Sequence, residues 1–199
     1  MAMPRTQPLP GEWTVEDWRQ LPDDGQRYEV IDGVLYVTPA PRARHQEAVR
    51  RLVTMLSRYL EGEPAGHVML SPAEIAFTSR RVVQPDVFVA PLVGGRQPRE
   101  WEEIRYLVLA IEVLSPSTAS RDRTMKRRLY QQHADEYWIV DLDARLVERW
   151  RPEDTRPEVL DTVLEWRPAG AETPLTLALP SYFREVLEGS PPRRGAAEG

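Results

Sequence analysis

The segment YLVLAIEVL, residues 106–114, is the most apolar run in the chain. It is too short for a typical helix and too apolar for a strand that exposes one face to water. Such a run is typical of a central strand that is covered on both faces. One charged residue, Glu112, interrupts it, and burial of an unpaired carboxylate costs several kcal/mol. The fold must therefore give Glu112 a buried arginine as partner, or use it as a metal ligand or a general acid or base.

The residues around this run predict a sheet with helices on its faces. A helix at 119–133 and a buried strand at 137–141 follow the run, and together the three indicate a β-α-β crossover. A hairpin is predicted around the two-residue turn Asp32-Gly33. Further strands are predicted at 67–70, 74–78, 86–90, 146–150 and 158–164, and further helices at 15–21, 43–61 and 180–187. This order indicates an α/β or α+β fold with a mixed sheet, preceded by an N-terminal helix and hairpin.

The length of 199 residues favours one domain. We predict a single domain at 12–189. The segments 1–11 and 190–199 are rich in Pro, Gly, Ala and Arg and show no apolar period, so they are predicted to be disordered tails.

Composition excludes several classes of site and location. The chain has no cysteine, so disulfides, thiolate-bound zinc and thiol nucleophiles are excluded. No apolar run approaches the roughly 18 residues of a membrane helix. The N-terminus lacks the apolar core of a signal peptide. We expect a cytoplasmic protein with no membrane partner.

The net charge of −5 argues against a general nucleic-acid coat protein, which is usually basic. Basic residues nevertheless concentrate at 42–51 and at 121–128. These two segments could hold a phosphate-bearing ligand, or they could be solvated helix faces.

Asp86 is the one charged residue in VVQPDVFVA. Pro-Asp often begins a turn, which is one explanation. The other is that its strand lies beside the Glu112 strand, so that the two carboxylates meet. Two carboxylates at close range stay ionised only with a cation between them. Hard oxygen ligands suit Mg²⁺ or Mn²⁺ better than zinc.

Lys126 is the only lysine among 26 basic residues. It falls in the predicted helix directly after the Glu112 strand. A lysine is a compact point charge whose pKa can be lowered, and arginine offers neither property. Lys126 therefore either orients water and offsets phosphate charge beside the carboxylates, or occurs there by chance.

Several segments together match one family pattern. They are QPDVFVA with Asp86, LAIEVLSPST with Glu112, RDRTMKRRLY with Asp122 and Lys126, and EYWIVD at 136–141. This composite pattern resembles the Uma2 family, a group of restriction-endonuclease-like proteins in the PD-(D/E)xK nuclease superfamily. The resemblance runs from about Tyr28 to Asp141 and continues into the strands beyond.

The resemblance implies a restriction-endonuclease-like mixed sheet flanked by helices, a divalent Mg²⁺ or Mn²⁺, and hydrolysis of phosphodiester bonds in nucleic acid, with DNA as the expected substrate. Asp86 matches the aspartate of the PD motif and Glu112 the glutamate that follows, so both are expected to bind the metal. The lysine of the superfamily motif would fall at Leu114, and Lys126 from the next helix matches the family's lysine instead.

Two earlier residues also match the family pattern. Glu29 in RYEVIDG is expected to be a further metal-facing carboxylate. His45 in PRARHQEAV is expected to contact phosphate or to assist proton transfer, although it could also be a surface histidine at the start of a helix.

Two functions of different classes remain open. The first is an active endonuclease in which Arg42, Arg44, Arg123 and Arg127 hold the nucleic-acid backbone. The second is a catalytically silent module that binds nucleic acid or protein, because members of the superfamily have lost catalysis and fold alone does not settle function. The acidic pair favours the enzyme, since carboxylates repel phosphate unless a metal is present. We also expect a homodimer, because superfamily nucleases that cut both strands usually pair their sites.

Overall fold

The computed structural model describes residues 8–189, so the predicted tail at 190–199 and most of the tail at 1–11 lie outside the described residues. At the last residue of the predicted N-terminal tail, the Gly11 amide donates a hydrogen bond to the Gly33 carbonyl at 2.8 Å. The predicted division into one domain and two tails stays a prediction.

The helices begin close to where the sequence places them. They are α1 (Val15–Trp18), α2 (Ala43–Gly62), α3 (Ala119–Arg121), α4 (Arg127–His133) and α5 (Leu179–Glu188), with a 3₁₀ turn at Trp101–Glu103. A π-helical segment, Asp122–Lys126, joins α3 to α4. The predicted helix at 119–133 is therefore helical throughout but changes its hydrogen-bond pattern in the middle.

The strands form two larger sheets and one short hairpin. In chain order they are β1 (Arg27–Ile31), β2 (Val34–Thr38), β3 (His67–Leu70), β4 (Ile75–Thr78), β5 (Arg81–Val83), β6 (Val87–Ala90), β7 (Leu107–Val113), β8 (Ala134–Asp141), β9 (Leu146–Trp150), β10 (Glu158–Leu160), β11 (Val163–Trp166) and β12 (Leu175–Ala178). A six-stranded sheet has the order β10-β9-β8-β7-β6-β3, a four-stranded sheet has the order β2-β1-β5-β4, and β11 pairs with β12.

The apolar run forms the predicted central strand. All seven residues of β7 are buried. The strand pairs with β6 antiparallel and with β8 parallel, so the sheet is mixed and the predicted crossover from β7 to β8 is confirmed. The fold class predicted from the sequence is confirmed with it.

Both faces of the six-stranded sheet are covered. On one face, α2 and α5 pack against it, with Leu52, Leu56 and Phe183 in a common core with Trp138. On the other face, the four-stranded sheet and α4 cover residues such as Phe88 and Ala110. Because side chains alternate along a strand, every second residue of β6 and β7 faces the four-stranded sheet.

The hairpin and the helix cap follow the local sequence. Asp32 and Gly33 have φ values of 52° and 78°, the left-handed backbone that a two-residue hairpin turn requires. Thr14 accepts from the Asp17 amide and Asp17 accepts from the Thr14 amide, which is a capping box at the start of α1.

One strand predicted from the sequence was wrong, and two strands were not predicted. The predicted strand 158–164 divides into β10 and β11, which belong to different sheets. Asp161 and Thr162 bend between them and redirect the chain to another partner. The short strands β5 and β12 were not predicted.

None of the helices within residues 8–189 is long and apolar enough to cross a membrane. The cytoplasmic location stays a prediction.

Candidate active site

Asp86 immediately precedes β6, and Glu112 lies on β7, the strand that pairs with β6 in the six-stranded sheet. In the pairing of β6 with β7, Val87 lies opposite Ile111. Continuing this register by one residue sets Asp86 opposite Glu112. Residues directly opposite each other share one face of a sheet, with Cβ atoms about 4.5–5.5 Å apart. Both carboxylates are buried, with exposed fractions of 4% and 3%. They therefore point to the same side, toward the four-stranded sheet.

Asp86 is held by three donors. Its Oδ1 accepts from Arg27 at 2.6 Å, and its Oδ2 accepts from the Val113 amide at 2.9 Å and lies 3.0 Å from Nε2 of His45. Burial raises the pKa of Asp86, but the hydrogen bond from His45 and the charge of Arg27 outweigh it and hold the pKa well below its ordinary value. Asp86 is therefore an ionised carboxylate.

Lys126 is the centre of a second group of carboxylates. Its Nζ lies 2.9 Å from Glu29 Oε1, 2.8 Å from Glu112 Oε1 and 3.9 Å from Asp122 Oδ1. The side chain is only 2% exposed. Strand β1 supplies Glu29, β7 supplies Glu112, and the π-helical segment supplies both Asp122 and Lys126. One ammonium thus joins the two sheets to the crossover helix.

The lone lysine keeps its charge. Burial lowers its pKa, but Glu112, Glu29 and Asp122 raise it by more, so the pKa of Lys126 lies above its ordinary value. The sequence argument that a lysine offers a lowered pKa does not apply here. The compactness of lysine does apply, because a small ammonium fits between three carboxylates, whereas a planar guanidinium is larger.

Glu112 has one bonded and one unbonded oxygen. Its Oε1 accepts from Lys126 and from the Tyr130 hydroxyl at 3.1 Å. Its Oε2 has no hydrogen-bond partner among residues 8–189. Burial raises the pKa of Glu112, Lys126 lowers it, and Asp86 with the other nearby carboxylates raises it again, so the pKa lies well above the ordinary value. The cluster holds more carboxylates than cations, and this excess of negative charge disfavours ionisation of Glu112.

A cavity of about 280 Å³ opens onto these side chains. Asp86, Glu112, Lys126 and His45 all line it. Its basic lining residues are Arg27, Arg42, Arg44 and Arg121, and the loop 115–118 contributes hydroxyl groups. The combination of acidic residues and several arginines in one lining suits a phosphate group that is bound together with a cation.

His45 is not a surface residue. It is 9% exposed in the first turn of α2, and its Nδ1 is buried without a hydrogen-bond partner among the described residues. The alternative of an exposed histidine at the start of a helix is therefore wrong. Its position against Asp86 fits a role in proton transfer or phosphate contact, which stays a prediction.

The four predicted backbone-binding arginines are in different places. Arg42 and Arg44 line the cavity, and Arg44 also pairs with Asp143 at 2.8 Å. Arg123 instead pairs with Glu148 at 2.6 Å and Asp141 at 2.9 Å. The guanidinium of Arg127 lies 4.6 Å from the centre of the Trp150 ring. Neither Arg123 nor Arg127 lines the cavity, and their contact with nucleic acid stays a prediction.

Arg27 and Arg121 were not predicted as site residues from the sequence. Arg27 lies two residues before Glu29 on β1, and this spacing puts both side chains on one face, a signal that could have been used. Arg121 donates to Thr38 Oγ1 at 2.8 Å and lies 3.8 Å from Glu29. It occurs in the basic segment 121–128, but nothing in that segment distinguishes it from its neighbours.

The residues fit a divalent metal by the chemistry of the donors. Within the described part of the chain, no group of three or more His, Cys, Asp or Glu side chains is suited to hold an ion. The two predicted ligands nevertheless supply hard oxygen atoms, and Oε2 of Glu112 is free to bind. Burial raises the pKa of Glu112 and Asp86 raises it further, so a cation beside the two carboxylates would favour their ionised forms. An ion at Asp86 would compete with His45 or Arg27 for an oxygen atom.

The chain is similar to known proteins in sequence and in structure. The profile of the family described as "Uma2: Putative restriction endonuclease" matches residues 15–186. "Uncharacterized protein slr1290" from Synechocystis is 30% identical over 108 residues, which are 53% of this chain and 54% of that protein. The chain thus matches about half the length of this curated relative.

The fold itself has a solved counterpart. The crystal structure of a "putative nuclease belonging to DUF820" from Anabaena variabilis superposes with a TM-score of 0.70 and 23% sequence identity, covering 87% of this chain and 99% of the other. At this identity the likeness shows the fold alone.

Proposed function

Because the chain belongs to the Uma2 family of restriction-endonuclease-like proteins, we propose that it is a metal-dependent endonuclease that hydrolyses phosphodiester bonds, with DNA as its substrate. The observation that carries this proposal is that Asp86, Glu112 and Lys126, which come from three separate elements, line one cavity with arginines around it.

In the proposed mechanism, Asp86 and Glu112 hold Mg²⁺ or Mn²⁺. When bound, such an ion supplies an activated water and offsets the charge that develops on phosphate. Glu112 would contribute its carboxylate, and because the pKa of Glu112 is raised, binding of the ion would favour loss of its proton. Asp86 is already ionised, so it binds without losing a proton.

The other side chains hold phosphate, water and protons. Lys126 stays protonated, and Glu29 and Asp122 fix its position, so it presents one positive charge beside Glu112. That charge offsets a phosphate oxygen or orients the attacking water. Arg42 and Arg121 bind the flanking phosphates. His45 exchanges a proton at Nε2, the atom that contacts Asp86.

One observation favours the alternative of a silent binding module. Both oxygens of Asp86 are already bonded, to Arg27 and to His45 with the Val113 amide, and Lys126 already compensates the carboxylates around it. If the protein no longer bound a metal, its buried carboxylates would need neighbouring cations and hydrogen-bond donors of this kind. The two functions predict different results in the same experiment.

The experiment is cleavage of supercoiled plasmid by the purified full chain. We expect cleavage with Mg²⁺ or Mn²⁺ and none with a chelator, because without a cation the carboxylates repel phosphate. Asp86→Asn keeps the size of the side chain but removes its charge, and should abolish cleavage. The exposed Asp161 provides the matched control, since Asp161→Asn lies outside the cavity and should cleave normally. Binding of DNA without cleavage in either metal would support the silent module instead.

We also propose that the protein works as a homodimer, so that two sites can cut both strands of a duplex. Leu70 and Val37 lie on edge strands β3 and β2 and are 47% and 46% exposed, which is consistent with a contact surface. Light scattering at micromolar concentration should give about twice the chain mass of 22.9 kDa. A mass equal to one chain would exclude the dimer.

A further inference from the structure

A second cavity lies directly beside the first. It has a volume of about 420 Å³. Arg27, His45 and Asp86 line both cavities, so they form a wall between the two. A ligand that crosses this wall would place one part against Glu112 and Lys126 and the next part in the second cavity.

The second cavity has a different chemical lining. Three glutamine side chains, Gln26, Gln46 and Gln84, lie around it, together with the aromatic residues Trp18 and Tyr28. The first cavity is lined by four arginines and Lys126, whereas the second is lined by two arginines, Arg19 and Arg27, together with the three neutral amides. This lining suits a flat, neutral group with hydrogen-bond donors and acceptors on its edge.

Gln84 gives an independent indication of a ligand. The residue is 7% exposed, and its Nε2 donates to the Tyr28 carbonyl at 3.1 Å. Its Oε1 is buried and has no hydrogen-bond partner among residues 8–189. A buried acceptor without a donor is unfavourable, and a ligand that donates to it removes that penalty.

A second phosphate is a poor match for this cavity. Asp23 and Asp86 line it, and both repel an anion. Its additional arginine, Arg19, is already paired with Glu74 at 2.5 Å and Glu102 at 3.0 Å. The charge of the cavity therefore favours the neutral part of a nucleotide.

We infer that the second cavity receives the base of a nucleotide whose neighbouring phosphate lies in the first cavity. This inference rests on the proposed function and adds a substrate preference to it. A single base enters such a cavity only when it is unpaired, so the preferred substrate has a single-stranded or unstacked nucleotide at the cleaved position. The glutamines contact its edge and the aromatic residues offer stacking surface.

Two probes separate the contribution of the base from that of the phosphate. One is a fluorescently labelled single-stranded DNA of twelve nucleotides, and the other is a deoxyribose-phosphate chain of the same length without bases. Binding is measured by fluorescence anisotropy in EDTA and again in Ca²⁺, with gel electrophoresis to check that the probes stay intact. The wild-type protein should bind the probe with bases at least tenfold more tightly than the base-free probe.

Two variants test the cavity itself. Gln46 is exposed on α2, so Gln46→Trp fills the mouth of the cavity without disturbing the core. Gln84→Met removes the unpaired oxygen, together with the hydrogen bond from Nε2 to the Tyr28 carbonyl, and keeps the length of the side chain. In both variants, the affinities for the two probes should differ by no more than about threefold, because only the probe with bases binds more weakly. Gln132→Trp is the matched control, because Gln132 is exposed on α4 and lines neither cavity, so it should keep the wild-type ratio.

The possible outcomes separate this inference from the proposed function. Equal binding of the two probes by the wild-type protein would overturn the inference while leaving a nucleic-acid function in place. A folded Gln46→Trp protein with an unchanged ratio would overturn it too. If neither probe binds, the inference and the proposed function both fail.

Discussion

The Lys126→Met variant should lose about 3–5 kcal/mol of folding stability, the range observed when one partner of a buried ion pair is removed. Methionine fills nearly the same volume but leaves Glu29, Glu112 and Asp122 without the ammonium that they surround. Cleavage should fall at least a hundredfold, about 2.7 kcal/mol in barrier terms, because the charge beside the metal ligands is gone. Urea denaturation and plasmid cleavage measure the two effects.

The control for this variant lies two residues away. Arg128 is exposed on α4, so Arg128→Met removes a positive charge from the same helix without opening a buried cluster. Its stability should change by no more than about 0.5 kcal/mol. Equal losses in the two variants would mean that Lys126 contributes only general positive charge.

The pH dependence gives a further check on the lysine. Because the folded-state pKa of Lys126 is raised, its stabilising contribution is complete below the ordinary lysine pKa of about 10.4 and is lost only as pH rises above it. The titration of Lys126 itself should therefore reduce the difference in stability between wild type and Lys126→Met only in strongly alkaline solution.

Lys126→Arg separates charge from shape. The arginine keeps the positive charge but must fit a site that is 2% exposed. Overpacking of this kind costs about 1–3 kcal/mol, so stability should fall by less than in the methionine variant. We still expect at least a tenfold loss of cleavage, because a planar guanidinium cannot place its charge where the ammonium does. A wild-type rate would mean that the identity of the lone lysine has no role in catalysis.

Much of this site could be predicted from the sequence, for a physical reason. A carboxylate inside an apolar strand, such as Glu112, has to be compensated, and that requirement is visible without a structure. Asp86 showed the same conflict between charge and surroundings. Lys126 stood out because the rest of the chain uses arginine. Each of these residues contradicts its local pattern.

The parts that could not be predicted depend on tertiary contacts. The spacing of Arg27 and Glu29 shows in the sequence that the two share a strand face, but only the approach of the two sheets brings Arg27 to Asp86. Gln84 shows nothing unusual in the sequence, and its unpaired oxygen becomes visible only when the neighbouring groups are in place. The protonation of the cluster is a property of several elements together, so no single segment reports it.

Glu112→Gln should make the protein more stable and less active. In the absence of metal, the folded protein keeps a proton on Glu112, because burial and the neighbouring carboxylates raise its pKa. The unfolded chain loses that proton near pH 4.3. Because the pKa of Glu112 is higher in the folded protein than in the unfolded chain, its contribution to stability is complete below the unfolded-state pKa. That contribution is lost as pH rises through the folded-state pKa. Glutamine is neutral at every pH, so the variant avoids this loss.

The expected signature is therefore a difference in stability between Glu112→Gln and wild type that grows with pH. In EDTA, urea denaturation should give similar stabilities for the two proteins near pH 4 and a more stable variant at pH 8. Glu47 supplies a control of opposite sign, because hydrogen bonds from Arg50 and Arg51 lower its pKa to about 2 despite slight burial. Its stabilising contribution is present above the ordinary glutamate pKa and lost toward pH 2, so Glu47→Gln should be less stable than wild type at pH 8.

Addition of Mg²⁺ should then make wild type more stable than Glu112→Gln. A ligand that binds only the folded state stabilises it in proportion to the logarithm of its concentration over the dissociation constant. The wild-type protein can exchange the proton on Glu112 for the ion, whereas a glutamine oxygen without negative charge holds it weakly. Wild type should gain stability with Mg²⁺ and cleave DNA, and Glu112→Gln should do neither. If the variant is instead less stable than wild type at pH 8 in EDTA, Glu112 is an ionised partner of Lys126, and the cluster is a structural ion pair with no room for a metal.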